Sequence, residues 1–390
     1  MTVCRFVRAR TAFSLLLAAS ATFADYDAGA AAFRAGNFEL AAAEFQKFVE
    51  EWPDEPQGYH MLGRSLIFAG RPGDAVAPLR KAIELNPNDV PSRVFLGQAF
   101  DENEKPDECI ATLNRLDIDS LPKQAQIQVY QRRGRSHAKL GNTGSAAVDF
   151  GRVADLKPGD AKARFDYGKK LQDDAQLDAA IAAFERATSM DGSNAEWKEV
   201  LVNALKIKGR RTEGEAKTAV YRRAEDVARS LVGGDPSYDN LLLLAEVQLG
   251  AKNYESAVST LQQAISKNAS DWHAHYYLGQ AYGALGRFND AEAPLARALE
   301  LASVVDAKAI WAYLGFVLEK QKKFSEAIEA YGRAEDPEGA ARVRENEQIV
   351  ADNQEADEHN ATIEVIRTRM EEIQGELDEL TGATKEPPRR

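Results

Sequence analysis

Five histidines, two cysteines and 61 acidic residues are the groups through which this 390-residue chain could do chemistry, and their spacing withholds most of it. His273 and His275 stand two apart. On a helix they point about 200° away from each other, whereas a shared metal ion needs partners three or four apart. His60, His137 and His359 are scattered. No H-E-x-x-H, no G-x-x-x-x-G-K-S/T phosphate loop and no G-x-S-x-G nucleophile elbow occurs. The doublets Asp173-Asp174 and Glu371-Glu372 read as solvated helix-surface charge rather than as a carboxylate dyad. Cys109 reads as a small buried hydrophobe. The chain is therefore read as non-catalytic, with no cofactor and no metal. Any function must come from surfaces that the elements hold in place.

Those elements announce themselves by repetition. Leu62-Gly63 recurs as Leu96-Gly97, Arg133-Gly134, Tyr167-Gly168, Leu278-Gly279 and Leu314-Gly315. Twelve residues after that glycine a second small position recurs: Ala41, Ala75, Cys109, Ala146, Ala180, Ala257, Ala291 and Ala327. The commonest spacing is 34 residues. Apolar residues within each unit fall three and four apart, the stripe of an amphipathic helix. Small residues at two fixed places let paired helices approach closely, and Phe45, Phe150, Phe184 and Tyr331 fill the next layer. Gly36, Gly70, Gly141, Gly209 and Gly286 are placed to end first helices with positive φ; Pro53, Pro87, Pro158 and Pro236 end or follow the second helices.

This pattern resembles the tetratricopeptide repeat (TPR) family. Residues 272–305 show it best, with Leu278, Gly279, Tyr282, Gly286, Ala291, Leu295 and Ala298, and Trp311-x-x-Leu314-Gly315 carries the family's tryptophan. Nine units are placed at 22–55, 56–89, 90–123, 127–160, 161–194, 195–237, 238–271, 272–305 and 308–341. The sixth departs from the pattern. Val202 replaces its small residue, and nine extra residues near Arg210 to Ala224 imply a longer second helix. The fold expected is all-α, a right-handed superhelical solenoid of about nine helix pairs over residues 25–341, since no pair can bury its apolar face alone.

The resemblance implies an inner groove lined by the first helices, at the second, fifth, sixth, ninth, twelfth and thirteenth places of each unit. The ninth-place row reads Arg64, Gln98, Arg135, Lys169 and Asn203, with Arg132 and Lys139 adding charge. Cations and amides in such a groove suit an acidic protein or peptide segment. The alternative is that they pair with Asp101, Glu102, Asp166 and Asp173. A second candidate patch is aromatic, Tyr276, Tyr277, Tyr313 and Phe316. These residues are either anchors for a partner or packing between adjacent helices or beneath the C-terminal helix.

Beyond the repeats, residues 342–381 read as a capping helix with a coiled-coil seam. Ile363, Ile366, Met370, Ile373, Leu377 and Leu380 alternate three and four apart. In one reading the first part of the helix caps the last repeat; in the other the distal seam forms a coiled coil with another copy or a partner. Residues 382–390 read as a disordered tail.

The N-terminus has Arg5, Arg8 and Arg10, then a short apolar run from Thr11 to Ala21, then small residues. Residues 1–24 read as a secretory signal peptide, cleaved after Ala24 or Ala21; an uncleaved anchor is the alternative. Cys4 would leave with it. The net charge is −12, and cleavage would remove three cations and make the chain more acidic still. That argues against nucleic acid and anionic membrane surfaces as partners. The expectation is a periplasmic or secreted protein-interaction scaffold with no stable membrane insertion. The alternative is a self-assembling structural or regulatory subunit of an envelope export, division or glycan-polymerisation complex. Its module content is similar to that of the Tol–Pal-associated cell-division coordinators, with the coiled coil at the opposite end.

Overall fold

The computed structural model describes residues 25–381, with side chains through Glu379. The expected signal peptide at 1–24 and the tail at 382–390 lie outside the described residues. Among those described, every regular element is a helix.

The chain divides into two compact units, Met1–Ala204 and Leu205–Arg390, and the division falls inside helix α11. The first unit runs through α1 (residues 25–34), α2 (Phe38–Glu51), α3 (Pro56–Phe68), α4 (Pro72–Leu85), α5 (Val90–Glu102), α6 (Pro106–Leu113), α7 (Lys123–Lys139), α8 (Thr143–Leu156), α9 (Ala161–Asp173), α10 (Leu177–Met190) and most of α11 (Ala195–Arg210). The second holds α12 (Gly214–Gly234), α13 (Tyr238–Gly250), α14 (Tyr254–Lys267), α15 (Trp272–Ala284), α16 (Phe288–Leu301), α17 (Val304–Lys320), α18 (Phe324–Arg333) and α19 (Pro337–Thr381). A 3₁₀ turn at Ile118–Ser120 takes up the extra residues before α7, which starts four residues ahead of the expected unit boundary.

Each helix starts and stops for local reasons. Asp89, Asp160 and Asp271 cap α5, α9 and α15 by accepting from backbone N–H groups at 2.9–3.1 Å. Pro56, Pro72 and Pro106 open α3, α4 and α6, where a missing N–H costs nothing. First helices other than α11 end in a left-handed residue, and the next residue returns its N–H to the carbonyl five back, as in Arg71 to Leu66 and Arg287 to Tyr282. Gly36, Gly70, Gly141 and Gly286 supply that positive φ, as expected. Gly209 does not. It lies inside α11, packed so closely that a Cβ would sit 2.6 Å from the Tyr221 ring, and Gly214 takes the positive φ instead. Glu104, Ala175, Lys252 and Lys322 adopt the same left-handed turn without glycine.

Pairing depends on the small residues. A Cβ on Gly63 would lie 2.4 Å from Leu79, and one on Gly97 would lie 2.4 Å from Leu113. Leu79, Leu113, Phe45 and Phe184 are fully buried in the first unit; Leu261, Leu295 and Ile310 are fully buried in the second. The sixth repeat is long in both helices. α11 has 16 residues and α12 has 21, against 13 and 14 in α3 and α4.

The last repeat ends sooner than expected, because α18 stops at Arg333 and α19 already starts at Pro337. Ala340 and Val343 bury the start of α19 against Leu318 and Tyr331. Glu319 of α17 accepts from Arg342 at 3.1 Å and from Asn346 at 3.0 Å. From residue 351 to Glu379 nearly every residue of α19 is exposed.

Candidate functional site: the inner face of the first helices

In each unit some first helices of successive repeats touch one another: α3 with α5 and α5 with α7, then α13 with α15 and α15 with α17. The second helices make no comparable contact. The first-helix side is therefore the tighter, inner side of each unit, and open grooves fall between second helices.

The cationic row lies on that inner side, and its members are held in different ways. Arg132 of α7 donates to the Gln98 amide oxygen of α5 at 2.7 Å, and Gln98 donates to Glu102 at 2.8 Å. Arg135 forms an ion pair with the buried carboxylate of Asp101. These contacts stitch α7 to α5. The pairing alternative thus holds for Arg135, with Asp101 as its partner; Asp166 and Asp173 pair instead with Lys162 and Lys170. Burial lowers the Arg132 pKa, and the neighbouring Arg135 charge adds to the effect.

Arg64 is different. Its guanidinium carbon sits 4.9 Å from the ring centre of Phe33 on α1 and 4.9 Å from that of Phe95 on α5. Three successive first helices thus build one aromatic–cation–aromatic stack. Among the described residues no carboxylate pairs with Arg64, and its buried Nε has no hydrogen-bond partner. Its one polar contact is a weak one to the Met61 sulfur at 3.7 Å. Burial lowers its pKa, because the charged form is partly desolvated with nothing to answer it. Phe33 and Phe95 were not singled out in the sequence. Reading the sixth, ninth and twelfth places together across neighbouring repeats returns both, along with Arg64.

Further along, Lys169 is exposed with its ammonium 6.0 Å from the Phe165 ring centre, and no carboxylate pairs with it among the described residues. Asn203 is also exposed.

One sequence comparison decides the family. Two tetratricopeptide repeat models match the chain, one at residues 60–125, 242–303 and 279–341, the other at 23–55. The chain belongs to the tetratricopeptide repeat family. Residues 126–241 fall outside those matches but form the same TPR helix pairs. A curated relative, superkiller protein 3 of Schizosaccharomyces pombe, is 25% identical over 266 residues. The match takes in 65% of this TPR chain but spans only 18% of that relative's length. Among solved structures, that of MamA is 21% identical, covering 45% of this chain and 94% of its own, with a TM-score of 0.40. That of YrrB, described as a TPR protein with an unusual peptide-binding site, is 20% identical, covering 51% and 100%, also with a TM-score of 0.40.

The aromatic patch of the TPR inner face is partly structural. Tyr276, Tyr277, Tyr313 and Phe316 are all half-buried. Tyr277 donates to Glu246 at 2.6 Å, and Glu246 also pairs with Lys206. Tyr313 donates to the Gln280 carbonyl at 3.2 Å and lies over Gly283, where a Cβ would come within 2.5 Å of its hydroxyl oxygen. Tyr276 meets Tyr313 edge-on at 6.2 Å, and Phe316 follows at 5.6 Å. Burial pushes the Tyr313 pKa up to about 12. These rings pack α15 against α17, as the packing alternative has it, and leave only part of each face open. α19 packs on Leu318 and Tyr331 rather than on this patch.

The seam residues lie where the heptad pattern puts them. Ile363, Ile366, Met370, Ile373 and Leu377 are 43–66% exposed. The Leu380 side chain lies outside the described residues.

Proposed function

We propose that this TPR protein is a non-catalytic scaffold that takes an acidic peptide or partner segment along the inner face of its first unit. Arg64 carries the reading. A guanidinium held rigid between Phe33 and Phe95, partly desolvated and unanswered by any carboxylate among the described residues, is preorganised for an incoming carboxylate. Lys169 and Asn203 extend the surface along later first helices. Arg132 and Arg135 are already engaged and serve to hold α7 on α5.

The test uses Arg64→Leu with Lys169→Ala, which removes charge while leaving apolar bulk between the rings. Affinity for an acidic peptide selected on the wild type is expected to fall about tenfold or more, with helicity by circular dichroism unchanged. Undiminished binding would reject the inner row as the site.

The bacterial envelope is the proposed location, supported by the signal-like residues 1–24. Cell fractionation with N-terminal sequencing checks it, and a cytoplasmic protein starting at Met1 would refute it. A second reading, self-assembly through α19, is favoured by the row of exposed apolar residues on a helix that leaves the repeats behind. Sedimentation with and without residues 355–390 tests it.

A further inference from the structure

The grooves between second helices form hollows, and three of them can be compared. One lies between α2 and α4 with α3 as its floor, about 830 Å³ in volume. One lies between α16 and α18 over α17, about 490 Å³. The third lies between α4 and α6 over α5, about 390 Å³.

In the first two, every lining cation already has a carboxylate. Arg71 pairs with Asp74 at 2.7 Å and with Glu39 at 3.3 Å, and Lys81 pairs with Glu84 at 2.8 Å. Arg333 pairs with Glu329 at 2.6 Å. The third hollow is lined by Arg80, Arg93 and Arg115, and among the described residues none of the three is in an ion pair. Arg80 lies 5.5 Å from the Phe100 ring centre, and Arg93 donates to the Pro87 carbonyl at 2.7 Å. Glu108 lines the same hollow without pairing with any of them.

The repeat shows how this arose. One 34-residue step earlier, the places of Arg80, Arg93 and Arg115 hold Gln46, Tyr59 and Lys81. The place of Glu39, which answers Arg71 there, is Gly73 here. Relative to its neighbour this hollow has gained two positive charges at these places and lost a carboxylate, in a chain of net charge −12.

We propose that the hollow between α4 and α6 binds a small polyanion bearing phosphate or carboxylate groups. Guanidinium forks match the oxygens of either group in pairs. The floor of Ile83, Leu96 and Phe100 excludes part of the water and strengthens each contact. A volume of 390 Å³ suits a small molecule. Arg93 is already fixed by the Pro87 carbonyl, while Arg80 and Arg115 are exposed and close on the anion from either wall. Glu108 opposes the bound charge and sets a ceiling on affinity. This surface is separate from the inner face and does not depend on the peptide reading.

Calorimetric titration of pyrophosphate into the purified protein at low ionic strength tests the site. One equivalent is expected to bind. Arg80→Glu with Arg115→Glu should weaken it about tenfold or more, and Glu108→Gln should tighten it. Lys267→Glu, at an exposed lysine of α14 in the second unit, should leave it unchanged. Circular dichroism verifies that each variant folds. Absence of binding, or equal binding by the double variant, would overturn the proposal. A hexaglutamate peptide in competition separates the sources of the anion. Failure to displace pyrophosphate supports a small free anion, and displacement would overturn that assignment in favour of a polypeptide.

Discussion

Arg64 and Arg133 are held in opposite ways two repeats apart in the same architecture. Arg133 stands where most repeats place leucine beside the close-packing glycine. It folds onto Asp149, donating two bonds at 2.9 and 2.6 Å to a carboxylate that is almost wholly buried. The substitution is tolerated because a partner came with it. Arg64 has rings in place of a partner, which leaves its charge available. His60 sits close by, its Nδ1 2.8 Å from the Ser92 hydroxyl. That hydroxyl donates to Asp89 at 2.5 Å, so it accepts from the imidazole Nδ1–H. Burial lowers the His60 pKa; Asp89 opposes the shift and Arg64 adds to it. A depressed histidine pKa means that the unfolded chain binds the proton more readily. The stabilisation is complete above about pH 6.5 and is lost as the pH falls below it. His137 shifts the same way for the same reason. Urea unfolding at pH 7.5 and 5.5 should show this loss, and His60→Gln should make the difference smaller. An equally steep dependence in the variant would show that His60 is not its source. None of this was legible in the sequence. His60 and Ser92 are 32 positions apart, and only stacking of repeats brings them together.

Helices and their turns were the most legible level, because propensity, apolar spacing and turn chemistry agree at every 34-residue step. What could not be read was which residue takes the left-handed turn. Glycine marks it in four repeats, yet Glu104, Ala175, Lys252 and Lys322 take it with φ between 54° and 64°. The hydrogen bond back to the carbonyl five residues earlier, together with packing of the hairpin, is enough to hold a strained residue there. The strain remains in the folded protein. Ala175 is exposed, so Ala175→Gly removes the strain without opening a cavity. It should stabilise the first unit by about 0.5–1 kcal/mol after the added backbone entropy is discounted. Thermal unfolding measures this, and a lower Tm would contradict it. Gly209 teaches the converse: a glycine near a helix end can be there for close packing, here against Tyr221.

At the scale of the whole molecule, contacts run from each helix to its sequence neighbours, and each unit has its own buried interior. Stability in such a chain is close to a sum of local terms. α19 contributes to that sum only through its first turns, by way of Ala340, Val343, Arg342 and Asn346. Removing residues 355–390 should therefore leave the Tm of the repeats unchanged. If the seam self-associates, the same truncation converts an oligomer to a monomer in equilibrium sedimentation. A monomer in both forms would dismiss the seam as an assembly device. The sequence made the seam's periodicity visible and left open whether it pairs with another copy or a partner. The structure places Ile363, Ile366, Met370 and Ile373 in the open.

A helix that leaves its parent fold at Asn346 runs on to Thr381, a span of about 50 Å, with little but its own backbone ladder to keep it wound. Helical segments of that kind unwind and rewind readily in water. Trypsin reaching Arg367 or Arg369 would meet an intermittently open chain and cut the seam between Ile366 and Met370 while the repeats stay whole. A partner held through the proposed seam would then be released by a single backbone cut, at a moment chosen by a protease rather than by any loosening of the repeats.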